Sequence, residues 1–276
     1  MLHLFVQRSR RMNSRINHLI RGLADLVPSP DRLNRSGLAG KVALALVALL
    51  VIGLVLLGGL FALGTFFFYD SYTSSFEYDV SIGVDGATEH AEFLLPLPVY
   101  DGEPHLDDVH ISGGDRFEGI DHEVVNTEHG PMLRIEIAEV NEGPHWHSLS
   151  ISAHVESDEI IDTRNPRETE PVLSPVEFLE RDLDETIHDR WPDRRDFDAS
   201  STAYIGHSGD EDVEIGVSVW YRGGNDWWTG GWNGNYYETS VSGGWDAHDP
   251  TGVWIELNGW HTEGGGNYPT FPPAPS

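Results

Sequence analysis

The sequence predicts an all-β domain, an antiparallel β-sandwich with a barrel as the runner-up, preceded by one transmembrane helix and a basic amphipathic helix. Three observations carry this expectation. The run from Val42 to Phe68 holds no charged side chain, the charge is divided unevenly along the chain, and apolar side chains alternate with period two through much of residues 75–262. The chain has 276 residues, enough for one sizeable domain with appendages.

Residues 1–41 contain eight Lys and Arg against Asp25 and Asp31, a charge of +6. The remainder sets nine basic residues against 43 acidic ones, a charge of −34. Such asymmetry within one chain marks a membrane boundary or a charged tail. Within the leader, Ile16, Leu19, Ile20, Leu23 and Val27 recur at helical spacing until Pro28 and Pro30. This describes an amphipathic helix lying on the inner leaflet, with its Arg side chains near anionic lipid; a cytoplasmic partner helix is the alternative. Met12 is a second candidate start that leaves this arrangement unchanged.

Residues 42–69 form the transmembrane segment. At about 1.5 Å per residue the run exceeds a hydrocarbon layer of roughly 30 Å. A signal peptide cleaved near Ala62-Leu63-Gly64 is the rival, but its apolar region would span only about 7 to 15 residues. Phe66-Phe67-Phe68-Tyr69 then forms an aromatic anchor at the far interface. Basic residues precede the helix and are absent just after it, so the expected topology is a signal-anchor protein, N-terminus cytoplasmic and C-terminal domain extracellular. The expected partner of this part is the lipid bilayer.

The strands come next. In SFEYDVSIGV, Phe76, Tyr78, Val80, Ile82 and Val84 share one face. The same period runs through Leu133–Ile137, Leu149–Val155, Val213–Tyr221 and Val253–Leu257. AEFLLPLPV alternates too, with Pro96 and Pro98 marking an edge or a strand end. A helix is expected over residues 175–190, inside an acidic insertion at 156–200. Ser174, Pro175 and Glu177 form a capping box there, and Val176, Leu179, Leu183 and Ile187 an apolar stripe. Residues 263–276, with the sequence EGGGNYPTFPPAPS, have the composition of a flexible tail.

The chain has no Cys, so the core must suffice without disulfides. An acidity this strong repels itself in dilute buffer, whereas molar salt shortens the screening length to about 3 Å. The acidic body therefore points to a salt-saturated environment, and its sign excludes nucleic acid as a partner. The runs EYDVSI, FLLPLPVYDGEPH, NTEHGPMLRIEI, IDTRNPRETEPVLSP and WNGNYYE resemble a family of membrane-anchored extracellular proteins of salt-loving archaea. The resemblance covers most of residues 76–260. It implies a β architecture and a surface address, and since no activity is assigned to that family it implies no catalytic residue.

Motifs of serine hydrolases, phosphate loops and calcium loops are missing from the sequence. His145 and His147 share a strand face and are weak metal candidates, without Cys or a third ligand identifiable by spacing. No cofactor is expected. Arg222 to Trp245, RGGNDWWTGGWNGNYYETSVSGGW, is the one specialised stretch, with its tip expected at residues 223–234. Trp220, Trp254 and Trp260 share the parity of polar neighbours and fall on the solvent face. The Gly-rich loop either folds back to bury Trp227, Trp228 and Trp232 against that row, the favoured arrangement, or leaves them open as a platform for glycans or a protein. Two functional classes follow: a surface-displayed interaction or structural module contacting envelope proteins or surface glycans, and an extracellular hydrolase with a His/carboxylate site.

Overall fold

The computed structural model describes residues 37–142, 147–182, 191–209, 213–247 and 252–269. The amphipathic helix expected within residues 1–36 lies outside them. Helix α1 (Leu38–Ser71) contains a stretch, Gly40–Ser71, with a most apolar window of mean hydropathy 2.9, none of it buried within the chain. Among the described residues one helix is therefore long and apolar enough to span a membrane. The chain divides into two compact units, residues 1–63 and 64–276, so the last turns of α1 belong to the β domain.

The domain is built from antiparallel strands: β1 (Thr73–Asp85), β2 (Thr88–Leu95), β3 (Leu97–Tyr100), β4 (Glu103–Pro104), β5 (His110–Gly113), β6 (Phe117–Thr127) and β7 (Gly130–Val140). After β8 (His147–Ser157) comes a single helical turn, α2 (Pro166–Thr169), then β9 (Val172–Ser174) and β10 (Val176–Arg181). Four long strands complete it: β11 (Arg195–Gly209), β12 (Val213–Trp228), β13 (Trp232–Ala247) and β14 (Val253–Gly266). The main sheet runs β5-β8-β1-β12-β13-β14-β11-β2-β7-β6, and β10 adds to β11 beyond the end of β2. A small sheet, β4-β3-β9, stands apart from it.

The two edges of the main sheet, β5 and β6, are joined by residues 114–116 alone. A link that short holds the edges within roughly 14 Å of each other, so the sheet curls into a nearly closed, barrel-like body. Its interior is the alternating set foreseen from sequence: Val80, Ile82, Ile135, Ile137, Ile151 and Val219 are all buried. Tyr78, Tyr221 and Tyr237 fill the middle. Tyr78 donates its hydroxyl to the Pro96 carbonyl at 2.9 Å, and Tyr237 donates to the Pro171 carbonyl, so these two buried phenols have acceptors.

Three expectations need correction. Residues 176–181, expected as the first half of a helix, form β10 in register with β11. Val176 and Phe178 turn to the core while Leu179, the supposed stripe residue, is 71% exposed. The free edge of β11 beyond β2 supplies backbone partners that outweigh the capping box; residues 183–190 lie outside the described residues. The tail expected from residue 263 is structured through residue 269, because β14 continues to Gly266. Gly264 donates to the Thr163 carbonyl at 2.7 Å, and with φ at +65° a Cβ there would fall on the Asp193 carbonyl oxygen. Glycine is required by close backbone approach, a demand that composition alone disguises as flexibility. Finally, the tip expected at 223–234 is only residues 229–231, since β12 and β13 stay paired from Val213↔Ala247 to Trp228↔Trp232. Gly223 sits mid-strand because the Tyr237 ring occupies the place of a side chain.

Candidate functional site

The six tryptophans proposed as a surface occupy three separate places. Trp220 and Trp260 lie in one outward row, Asp79–Trp220–Ser240–Trp260–Asp198, two strands and therefore about 10 Å apart. Trp260 is 39% exposed, and Trp220 is half-buried beside Glu238. Leu179 stands opposite Asp198 at the end of this row. Beside it a depression of about 560 Å³ is lined by Phe178, Leu179, Asp198, Glu256 and Asn258. Trp254 is six residues from Trp260 along β14, about 20 Å away, with its indole against Tyr204 at 5.5 Å and His129 at 4.5 Å.

Trp227, Trp228 and Trp232 do not fold back on that row, because the paired strands carry them about 23 Å beyond Trp220. Trp227 and Trp228 meet the end of α1. Trp227, 2% exposed, stacks on Tyr72 at 5.6 Å with the rings 8° apart and presents an edge to Phe68. Burial and the nearby Asp226 push the Tyr72 phenol up to about 12, so it is neutral there. Trp228 meets Phe67 edge to face at 5.7 Å. The Trp228 amide donates to Ser71 Oγ at 2.8 Å, and Ser71 Oγ donates to the Phe68 carbonyl at 3.2 Å, giving a helix-end carbonyl a partner. Trp232 is 71% exposed at the tip.

Just inside this clasp the barrel end is closed by the segment around residues 160–171. Asn225 is the hub. Its Oδ1 accepts from Ser74 Oγ at 2.7 Å and from the Ile161 amide at 3.0 Å, and its Nδ2 donates to the Ile161 carbonyl and to Asn235 Oδ1. Thr163 donates to Asn235 Oδ1 at 3.1 Å and shares a 2.7 Å hydrogen bond with Tyr268, over whose ring Arg164 sits. A cavity of about 310 Å³ opens here between Tyr72, Asn225, Asn235 and Tyr268.

Among the described residues a His–carboxylate cluster converges at His261 and Glu263, which sequence reasoning did not select as a site. His261 and Glu263 share a face of β14, and His261 Nε2 lies 3.5 Å from Glu263 Oε1. Thr239 Oγ1 is 2.7 Å from His261 Nδ1. We assign the ring proton to Nε2, which faces the carboxylate, so that Nδ1 accepts from the Thr239 hydroxyl. Arg167 Nε and Arg195 Nη2 approach Glu263 at 2.6 and 2.5 Å. Burial drives the Glu263 carboxyl up, but His261, Arg167 and Arg195 outweigh it and hold the group below its ordinary value. Burial holds His261 down despite the carboxylate. Thr239, His261 and Glu263 have no exposed surface, and none of these three lines either cavity just described. A hydroxyl, imidazole and carboxylate in sequence resemble a nucleophilic relay, but a substrate has no access to them, and the two guanidiniums already use the carboxylate. The only signal in the sequence was the two-residue spacing of His261 and Glu263; the arginines come from elsewhere in the chain.

Of the weak metal candidates, His147 begins β8 opposite Val84, and His145 lies outside the described residues. Among the described residues no three His, Asp or Glu side chains gather as a metal would need. Comparisons with protein families, with characterised proteins and with solved structures give no match.

Proposed function

We propose that this chain is a single-pass, membrane-anchored module that displays its β domain on the outer surface, where it contacts envelope proteins or surface glycans. The observation that carries this reading is the direct fusion of helix α1, whose most apolar window is unburied and which ends at Ser71, to a β domain that begins at Thr73. One residue separates them, so the domain cannot leave the bilayer surface on a linker. The basic leader and the acidic remainder support the orientation, leader inside and domain outside. The acidity, together with the resemblance to surface proteins of salt-loving archaea, supports a high-salt habitat. We read the sheet as an opened barrel closed by the 114–116 connection, in place of two packed layers.

Within this proposal the row of Trp220, Trp260 and Leu179 is the contact face. Two outward indoles beside acidic side chains suit sugar rings or an apolar partner segment. Protease added to intact cells at high salt should remove the domain and spare the leader; an untouched domain on an accessible cell surface refutes the orientation. Crosslinking in such cells followed by mass spectrometry identifies the partner, and Trp220→Ala with Trp260→Ala should abolish its capture. Full capture by that double variant refutes the contact face.

A further inference from the structure

We infer that the tip of the β12–β13 hairpin is a second membrane contact, seating the indoles of Trp228 and Trp232 in the headgroup layer beside the end of α1. The inference rests on the membrane-anchor reading above. Three observations converge on it. First, Trp228 and Trp232 are directly paired across the hairpin, so their side chains project from the same face and are close neighbours. Second, the hairpin runs alongside the helix towards its apolar part: Trp227 meets Phe68 and Tyr72, whereas Trp228, one step nearer the tip, meets Phe67. Third, the exposed apolar surface is continuous. Phe66, Phe67, Trp228 and Trp232 are 61%, 46%, 37% and 71% exposed, and all four belong to the same compact unit, residues 64–276.

An aqueous occupant fits this surface poorly. Large exposed aromatics cost free energy in water, and more so in strong salt. The interfacial layer of a bilayer instead favours Trp, whose ring is apolar and whose N–H reaches water or headgroups. The tip also suits that layer chemically. Thr229, Gly230 and Gly231 carry no charge, and the nearest acidic neighbour along β12 is Asp226, on the far side of Trp227. Polar needs of the turn are met internally, since the Thr229 amide donates to the Gly231 carbonyl at 3.0 Å and Asn233 Nδ2 donates to Thr229 Oγ1 at 2.9 Å. The consequence is orientation: a helix alone lets the domain swivel, while a helix and a hairpin tip together fix which face looks away from the membrane.

The chain contains no Cys, so single nitroxide labels can be placed without background. Gly231→Cys keeps both indoles, and a Cβ there meets nothing within 4 Å. The full chain is reconstituted in phosphatidylcholine–phosphatidylglycerol vesicles at molar salt. Oxygen and a water-soluble nickel chelate serve as competing relaxants. Leu57→Cys in the helix and Asn258→Cys on the outer sheet face are the reference sites. The label at 231 should show an oxygen-to-nickel accessibility ratio several-fold above that at 258, and Trp232→Ser in the same background should lower it towards the value at 258. If 57 is oxygen-biased while 231 matches 258, the hairpin contact is wrong and the anchor stands. If 57 also matches 258, the anchor and the hairpin contact fall together.

Discussion

Glu263 carries a carboxylate at a position with no solvent exposure, and it is tolerated because Arg167, Arg195 and His261 surround it. Glu263→Gln keeps the shape and removes the charge, leaving two guanidiniums without their counter-ion. Breaking such a partly buried network costs about 2 to 4 kcal/mol, to be read as a lower denaturation midpoint with unchanged slope. The same cluster sets an acid limit. His261 and His207 are both held below their ordinary 6.5, in each case chiefly by burial. The unfolded chain takes up these protons on crossing 6.5 while the folded chain resists, so stability falls as the pH drops below 6.5. Glu263, held below its ordinary 4.5, adds a second loss as the pH falls further, through its folded value. Glu170 and Glu238, raised by burial, are protonated in the folded chain before the unfolded one and return some stability just above 4.5, so the cleanest readout of the histidines is the stretch immediately below 6.5. Melting temperature measured downward from neutral pH should fall first below 6.5, and His261→Gln should shrink that first fall; an undiminished fall would assign it elsewhere. At this scale the sequence showed His261 and Glu263 two residues apart but assigned Glu263 to a tail, and their partners Arg167 and Arg195 could not be paired with them without the fold.

The elements that the sequence made legible are those whose burial follows a local period. β1, β8 and the stretches Leu133–Ile137, Val213–Tyr221 and Val253–Leu257 alternate because one face meets the core and the other meets water. The elements it concealed depend on distant partners. Residues 176–181 have both a capping box and strand parity, and only the open edge of β11 decides between them. Gly264–Gly266 read as a tail because the backbone they abut, at Asp193 and Gly234, is remote in sequence. Trp227 read as part of a loop turning onto the sheet, but uninterrupted pairing carries it to Tyr72 and Phe68. The closure of the barrel end has the same character, since Asn225 joins β1, β13 and the segment at Ile161 through side-chain amide bonds. Asn225→Ala leaves Ser74, the Ile161 amide and Asn235 without these buried partners, a loss of about 2 to 3 kcal/mol. It should loosen the closing segment before the barrel, so limited proteolysis is expected to cut first near residues 160–171 while the β core stays resistant. Cleavage unchanged from the parent chain would show that the plug is held by other contacts.

For the whole molecule, charge sets the conditions under which this fold survives. A charge of −34 follows residue 41, and in the described residues the ion pairs draw mostly on partly exposed Arg side chains that neutralise only a few of the acids. The edge strand β6 concentrates Glu118, Asp121 and Glu123 at exposed positions, which keeps a long open edge from pairing with another chain. The remaining repulsion is long-ranged in dilute buffer, where the screening length is about 10 Å at 0.1 M, and local at 1 M, where it is about 3 Å. The melting temperature of the full chain should therefore rise steeply from low to molar KCl. Salt also strengthens apolar burial, so the rise alone does not identify its cause. Replacing exposed carboxylates with amides separates the two effects. Glu89→Gln, Glu177→Gln, Glu214→Gln and Glu256→Gln together remove four charges at exposed strand positions without touching the core. If repulsion dominates, this variant gains stability in dilute buffer and its melting curve rises less with salt. If apolar burial dominates, its salt slope matches that of the parent, and the acidity has to be explained by something other than the stability of the fold.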